Sequence, residues 1–117
     1  MLQILHRIFR DPSDTTTCVK LLYANQTEED ILVRQELEAL HEAFPDRFSL
    51  WYTVDRAEKD WKYSEGFITK AMVEEHLMFD SDAPTQFFLC GPPPMIKFAC
   101  TPALKELGYS EKDWVVF

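Results

Sequence analysis

Apolar residues recur at helical spacing in four segments of the chain. The first runs from Leu2 to Phe9 and ends at Asp11-Pro12, which predicts an amphipathic helix. The second follows a Thr27 N-cap with acidic residues in its first turn and ends at Pro45. Its apolar stripe consists of Ile31, Leu32, Leu37, Leu40 and Phe44. A short third helix is predicted after Thr69, and a fourth in PMIKFACTPALKELG, interrupted at Pro102 and ended at Gly108.

Nearly continuous apolar runs separate these helices and predict buried strands. The runs are CVKLLYAN, ending at Asn25, then FSLWYTV at residues 48–54, TQFFLC at 85–90 and the terminal WVVF. A polar loop over residues 57–64 carries Trp61 and Tyr63, and residues 80–84 have the composition of a turn. Helices and strands therefore alternate along the whole chain.

This alternation predicts an α/β fold, a doubly wound parallel sheet with helices on both faces, within one domain over residues 1–117. In such sheets ligands bind beyond the carboxyl ends of the strands. The residues predicted at those ends are Asn25-Gln26, Asp55-Arg56, Cys90-Gly91 and Phe117. We expect any ligand site of this chain to be among them.

Composition and charge narrow the classes of partner. The net charge of −8, without a run of basic residues, argues against a nucleic-acid partner. No apolar stretch approaches the roughly 18 residues of a membrane span, and the amino-terminal residues do not have the pattern of a leader or an anchor. The three cysteines are widely spaced and the three histidines scattered, so neither a disulfide framework nor a metal site is expected. A reducing, intracellular setting fits this cysteine usage.

The segment FFLCGPPPMIKFAC has two interpretations. Gly91 lets a ligand approach the backbone, and the prolines after it make a rigid ledge that presents the Cys90 thiol. Alternatively, the segment is a stiff strand-to-helix turn in which the cysteine acts as a small apolar residue. Spacing alone favours the second interpretation.

The other strand ends are also ambiguous. Asp55 is placed to bind ribose hydroxyls and repel a 2′-phosphate, or it is an ordinary turn residue. Asn25 and Gln26 either bind a nucleotide or form a turn into the helix. Aromatic residues could stack on adenine, although most residues of this kind belong to the core. With three glycines and no GxGxxG, the residues taken alone argue against a dinucleotide site.

Several motifs in order resemble the NADH-binding domain of the NADH–cytochrome b5 reductase family. They are ANQTEEDIL (24–32), LWYTVDRA (50–57), W-x-Y-S-x-G-F (61–67), CGPPPMI (90–96) and the terminal VVF. The same domain closes the flavin-dependent part of eukaryotic nitrate reductases. The resemblance covers essentially the whole chain.

The resemblance implies a ferredoxin-reductase-like flavoenzyme in which this domain brings NADH to FAD held by a preceding β-barrel. Electrons then pass singly to cytochrome b5 or a related haem acceptor. Cys90 would lie beside the nicotinamide as a positioning group at the catalytic centre, in a pocket shaped by Gly91, Pro92 and Met95. Phe117 would lie near the flavin. The resemblance implies that Asp55 favours NADH over NADPH, that Phe67 lies toward the adenine, and that Asn25 and Gln26 line the crevice at the strand ends.

In the family a G-T-G-I-T-P turn, the first strand and the FAD domain precede the residues that match Met1-Leu2-Gln3. We therefore expect a fragment or truncated product that is prone to aggregation and binds NADH weakly on its own. The resemblance also implies a place in the cytosol or on the cytosolic face of the endoplasmic reticulum or mitochondrial outer membrane. Two alternatives stay open: the closing module of a nitrate reductase, and a non-catalytic fragment.

Overall fold

The computed structural model describes residues 1–79 and 84–117, which form two compact units, Met1–Gly66 and Phe67–Phe117. The predicted turn over residues 80–84 lies, except for Pro84, outside the described residues. Each unit has its own helices and its own parallel strands.

The first unit is a three-stranded parallel sheet in the order β1-β2-β3 with two helices. Its elements are α1 (Leu2–Phe9), β1 (Val19–Asn25), α2 (Arg34–Ala43), β2 (Phe48–Val54) and β3 (Ser64–Glu65). The apolar stripe of α1 and the two long apolar runs thus form the predicted helix and strands. The two-residue strand β3 begins at Ser64, the last residue of the segment that the sequence pattern predicts as loop.

The core of the first unit forms between the helices and β2. Leu5 and Phe9 of α1 and Leu37 of α2 are buried in one cluster with Phe48 and Tyr52. The Phe9 ring stacks on that of Phe44, with centroids 4.8 Å apart. This packing explains why β2 is a nearly continuous apolar run, because its second half is fully enclosed.

The predicted second helix is interrupted where it was expected to begin. Glu28–Asp30 form a 3-10 turn instead, closed by a capping box between Thr27 and Asp30. At Ile31 the backbone leaves helical geometry, with φ −79° and ψ 82°. Leu32, assigned to the apolar stripe, is 88% exposed, so that part of the prediction is wrong. The capping hydrogen bonds favour a short 3-10 turn, and the helix does not continue through Ile31, so Leu32 does not face the core.

The second unit pairs two short parallel strands with helical segments. Its elements are α3 (Lys70–Leu77), β4 (Phe87–Leu89), α4 (Pro93–Met95), a π-helix (Ile96–Cys100), α5 (Thr101–Glu106) and β5 (Trp114–Val116). Thr69 caps α3 as predicted, accepting a hydrogen bond from the Met72 amide at 3.2 Å. Val73, Phe87, Ala103 and Leu104 are buried in this unit.

The π-helix has a local cause in the sequence. Pro102 has no N–H, so the α-helical bond to the Phe98 carbonyl cannot form. One residue earlier, the amide of Thr101 donates to the carbonyl of Ile96, five residues back, which is the hydrogen bond of a π-helix. The Thr101 hydroxyl donates to the same oxygen at 3.1 Å. The helix continues through Pro102 and ends before Gly108, whose φ is +97°.

The α/β class with parallel strands is confirmed. The strands fall into two sheets, β1-β2-β3 and β4-β5, each within one compact unit. Among residues 1–79 and 84–117, no helix combines the length and apolarity needed to cross a bilayer.

Candidate functional site

The carboxyl ends of β1 and β2 bring four of the residues predicted at strand ends together. Asn25 is the register partner of Val54, so Asn25-Gln26 and Asp55-Arg56 leave the sheet side by side. The Asp55 amide donates to the Asn25 carbonyl at 3.1 Å, and the Arg56 amide to the Gln26 carbonyl at 3.0 Å. The side chain of Asp55 is exposed at this edge. Its carboxylate is therefore available to a ligand beyond the strand ends.

Asn25 has an unused hydrogen-bond donor at the same edge. Its Nδ2 atom is buried and has no partner among the described residues. A buried amide without a partner is costly, and a ligand acceptor would remove that cost. Because this atom is enclosed, a ligand acceptor reaches it only if the end of β1 opens.

Side-chain hydrogen bonds hold the loop that follows Asp55 against β2 and β3. Glu65 accepts a hydrogen bond from the Ala57 amide at 2.8 Å through Oε2. The indole N–H groups of Trp51 and Trp61 both bond Ser64, each at 2.8 Å, one to its hydroxyl and one to its carbonyl. Glu65 carries no sequence signal for this role, because a single acidic residue shows no period that marks its contacts.

The aromatic residues of the first unit pack mainly on one another. The Tyr63 ring lies edge-on to the rings of Tyr52, Trp51 and Trp61, with centroids 4.9 to 5.1 Å apart. Tyr52 is fully buried, and burial raises the pKa of its phenol. Of the two interpretations of these residues, the geometry favours the core for this cluster.

A second group of predicted residues lies in the second unit, at the ends of β4 and β5. Leu89 is the register partner of Val116, so Cys90 and Phe117 follow two paired residues. The Phe117 amide donates to the Leu89 carbonyl at 2.9 Å, and its ring stacks on Phe88. Cys90 and Phe117 are both exposed at this edge.

Gly91 and the prolines shape the turn that follows Cys90. Gly91 has φ +153°, and a Cβ at this position would overlap the Cε atom of Met95. Pro92 is the N-cap of α4, and its carbonyl accepts from the Met95 amide at 3.0 Å. Gly91, Pro92 and Met95 thus form one tight turn beside Cys90, in which the positive φ at position 91 favours glycine.

The remaining predicted residue, Phe67, begins the second unit and is 79% exposed. No cluster of three or more His, Cys, Asp or Glu side chains that could hold a metal occurs in the described ranges 1–79 and 84–117. The three cysteines are free; Cys18 and Cys90 are exposed, whereas burial raises the pKa of the Cys100 thiol.

Comparison with protein families decides the class of this chain. The family model described as "Oxidoreductase NAD-binding domain" matches residues 1–101. The chain belongs to this family. The match covers both strand-end groups except Phe117, including Asn25, Asp55, Cys90 and Gly91.

Individual relatives of this NAD-binding domain are NADH–cytochrome b5 reductases. The chain is 51% identical over 112 residues to NADH-cytochrome b5 reductase 1 of Homo sapiens and 53% identical over 113 residues to NADH-cytochrome b5 reductase 2 of Gallus gallus. These matches cover 96% and 97% of the chain. The chain spans 36% of the length of each of these two relatives.

Two solved structures also match this oxidoreductase NAD-binding domain. The cytochrome b5 reductase domain of Ulva prolifera nitrate reductase matches 98% of the chain with a TM-score of 0.90 and 49% identity, and 42% of that structure is covered. The CS-b5R domains of human Ncb5or, solved in an NAD+ form, match the whole chain with a TM-score of 0.84 and 29% identity, covering 32% of that structure. The predicted resemblance to the reductase family is confirmed.

Proposed function

We propose that this chain is the NADH-binding part of a flavin-dependent NADH–cytochrome b5 reductase. In such an enzyme the chain holds the hydride donor, NADH, and the rest of the polypeptide holds FAD. FAD, when bound, accepts a hydride and releases electrons singly, which suits a haem acceptor such as cytochrome b5. The protein residues supply orientation, and the reaction needs no acid or base from this chain.

The observation that carries the proposal is the paired end of β1 and β2. Two successive backbone bonds hold Asp55 and Arg56 against Asn25 and Gln26, at 3.1 and 3.0 Å. The edge presents an exposed carboxylate, that of Asp55, beside the buried and unpartnered Nδ2 atom of Asn25. A carboxylate there accepts hydrogen bonds from the two ribose hydroxyls of NADH and repels the 2′-phosphate of NADPH. Asn25 and Gln26 line the crevice beside that ribose.

The second strand-end group serves the nicotinamide in this proposal. Cys90 and Phe117 are exposed at neighbouring strand ends, and Gly91, Pro92 and Met95 form the rigid turn next to them. This group suits a flat ring, because the turn contributes little side-chain bulk at Gly91. Cys90 orients the ring in this proposal and needs no role as a nucleophile, because the hydride passes directly between the two cofactors. Phe67 contributes an exposed ring on the adenine side.

A second candidate is the corresponding module of a nitrate reductase. The observation that favours it is the TM-score of 0.90 against the reductase domain of Ulva prolifera nitrate reductase. The two candidates share the NADH site and differ in the electron acceptor. They are therefore separated by residues outside this chain.

Titration of the chain with NADH and NADPH tests the shared part of the proposal. We expect NADH to bind and NADPH to bind more weakly. Because Asp55→Thr removes one negative charge facing the 2′ position, we expect this preference to fall by about 5- to 30-fold. Dissociation constants from tryptophan fluorescence or from amide chemical shifts give the ratio.

Asp46→Thr is the matched control, since Asp46 is an exposed aspartate just before the opposite end of β2. We expect it to leave the NADH/NADPH ratio unchanged. Absence of NADH binding at millimolar concentration by a folded wild-type chain would contradict the proposed function and favour a non-catalytic fragment. Binding with an unchanged ratio in Asp55→Thr would remove Asp55 from its role.

A further inference from the structure

Three successive amides after β2 are each held by a bond from another segment. The Asp55 amide donates to Asn25 and the Arg56 amide to Gln26, both through backbone carbonyls of the chain leaving β1. The third amide, that of Ala57, donates to the Oε2 atom of Glu65 at 2.8 Å. The backbone that carries Asp55 is thus fixed on one side by β1 and on the other by a single carboxylate.

Glu65 is itself held in place by the sheet. It is the register partner of Val54, the residue before Asp55. The following amide, of Gly66, donates to the Val54 carbonyl at 2.8 Å, and the Thr53 hydroxyl donates to the Gly66 carbonyl at 2.7 Å. Adjacent strands lie about 4.8 Å apart, so the Glu65 backbone lies within one strand spacing of the backbone that leads into Asp55.

Glu65 also places a second exposed negative charge at this strand end. Both Asp55 and Glu65 are exposed, and Glu65 reaches a backbone amide only two residues after Asp55. Exposed carboxylates of this kind repel an approaching phosphate over distances up to about the Debye length, roughly 10 Å at 0.1 M salt. A 2′-phosphate on a ribose bound at Asp55 lies within that reach.

We propose that Glu65 is a second specificity-determining residue for the nucleotide, acting both as a positioning residue for Asp55 and as a charge that disfavours a 2′-phosphate. This inference rests on the proposed function, because it requires an adenosine ribose at Asp55. It gives a role to an exposed residue of the two-residue strand β3, which no sequence pattern marks.

The test separates the two parts of this role by substitution. Glu65→Gln keeps an oxygen that accepts from the Ala57 amide and removes the charge, whereas Glu65→Ala removes both. Glu58→Gln is the control, because Glu58 is an exposed carboxylate of the same loop whose side chain makes no hydrogen bond or ion pair in the described structure. The ligands are ADP-ribose and 2′-phospho-ADP-ribose, titrated to millimolar concentration and followed by amide chemical shifts.

For the wild-type chain we expect ADP-ribose to bind more tightly than its 2′-phosphorylated form. We expect Glu65→Gln to reduce that preference by about two- to fourfold at low salt and to have little effect at 0.5 M salt. The substitution removes only the repulsion between the Glu65 carboxylate and the 2′-phosphate, and salt screens that repulsion. Glu65→Ala should reduce it further, by about five- to tenfold, and should increase hydrogen exchange of the Ala57 amide. Glu58→Gln should change it by less than about 1.5-fold.

The outcomes also distinguish this inference from the proposed function. If the wild-type chain binds neither nucleotide, both fail. If ADP-ribose binds with the expected preference and neither Glu65 variant alters it, the inference alone is overturned. A larger Ala57 exchange rate with an unchanged preference would likewise reduce Glu65 to a structural residue.

Discussion

Asp60 has a backbone φ of +70°, in the left-handed region that favours glycine. It is the only non-glycine residue with positive φ in the described part of the chain. An aspartate tolerates this conformation, whereas a β-branched residue does not. The loop between β2 and β3 therefore depends locally on which residue stands at position 60.

Substitution at Asp60 should follow this backbone preference. We expect Asp60→Gly to leave the free energy of unfolding unchanged or raise it slightly, and Asp60→Val to lower it by about 1–2 kcal/mol. Urea unfolding followed by tryptophan fluorescence measures both. Glu58→Val is the control in the same loop, at a residue with negative φ. If valine lowers the free energy of unfolding equally at positions 58 and 60, the positive φ at position 60 does not cause the loss.

The three cysteines should differ in reactivity toward iodoacetamide. Cys18 and Cys90 are exposed, whereas Cys100 is buried and burial raises the pKa of its thiol. Since the thiolate is the nucleophile, we expect Cys18 and Cys90 to be alkylated at pH 8 while Cys100 reacts only after urea is added. Peptide mass spectrometry reads the three sites separately. Equal rates at all three sites in the native chain would show that Cys100 is not enclosed.

At the scale of elements, the connection from α1 to β1 is closed by side chains around Asp14. Its carboxylate accepts from the Thr17 hydroxyl at 2.6 Å and the Thr17 amide at 3.0 Å, and lies 3.6 Å from Nη2 of Arg47. The Arg47 Nε atom donates to the Thr17 carbonyl at 3.0 Å, and its guanidinium lies over the Phe9 and Phe44 rings. This contact set ties the connection to the start of β2.

These bonds hold the pKa of Asp14 below its ordinary value of 3.8, chiefly through the Thr17 hydroxyl and then the Thr17 amide. A carboxyl whose pKa is lower in the folded state adds stability above the unfolded value, and that stability is lost as the pH falls through the folded value. We therefore expect Asp14 to contribute to acid unfolding below pH 3.8. Thermal unfolding midpoints between pH 2 and pH 7 measure this contribution.

The variant Asp14→Asn should make the midpoint less dependent on pH in the acid range while lowering it at pH 7. Asp46→Asn is the matched control, because the Asp46 carboxylate makes no hydrogen bond or ion pair in the described structure. If Asp14→Asn and wild type lose stability in parallel below pH 4, Asp14 does not carry the effect.

Element boundaries could be predicted where a local rule acts alone. The ends of α1, β1, β2 and α3 follow from the apolar period, Pro12 and the Thr69 cap, and the structure confirms them. The interruption before α2 and the π-helix before Pro102 were harder, since each results from competing bonds. The strand β3 could not be predicted, because two residues show no period and become a strand only through pairing with Thr53 and Val54.

At the scale of the whole molecule, the chain spans 36% of the length of the two reductases compared with it above. In the proposed function the hydride acceptor is held by residues outside this chain. We therefore expect the chain alone to show no NADH-dependent ferricyanide reduction. Placing it in the cytochrome b5 reductase domain of Ulva prolifera nitrate reductase, in exchange for the matching segment, should restore turnover. The TM-score of 0.90 makes this exchange geometrically reasonable.

Within that chimera, Asp55→Thr provides the control for specific use of the transplanted site. It should keep turnover with NADH within about tenfold and raise kcat/KM for NADPH. A folded, flavin-containing chimera without turnover would contradict the proposed function. Turnover that is insensitive to Asp55→Thr would show that the chain contributes structure without the proposed selectivity.

The sequence by itself determined most of the helices and strands, the α/β class and the candidate strand ends, because apolar periods, caps and prolines act between residues close in the chain. Its motifs also determined the family, through residues such as Asp55 and Cys90. Only the tertiary structure decided that the Asp55 and Arg56 amides bond β1, and that Glu65 bonds Ala57. Those contacts join segments that are separate in the chain, and only the pairing of β1, β2 and β3 brings them within hydrogen-bond distance.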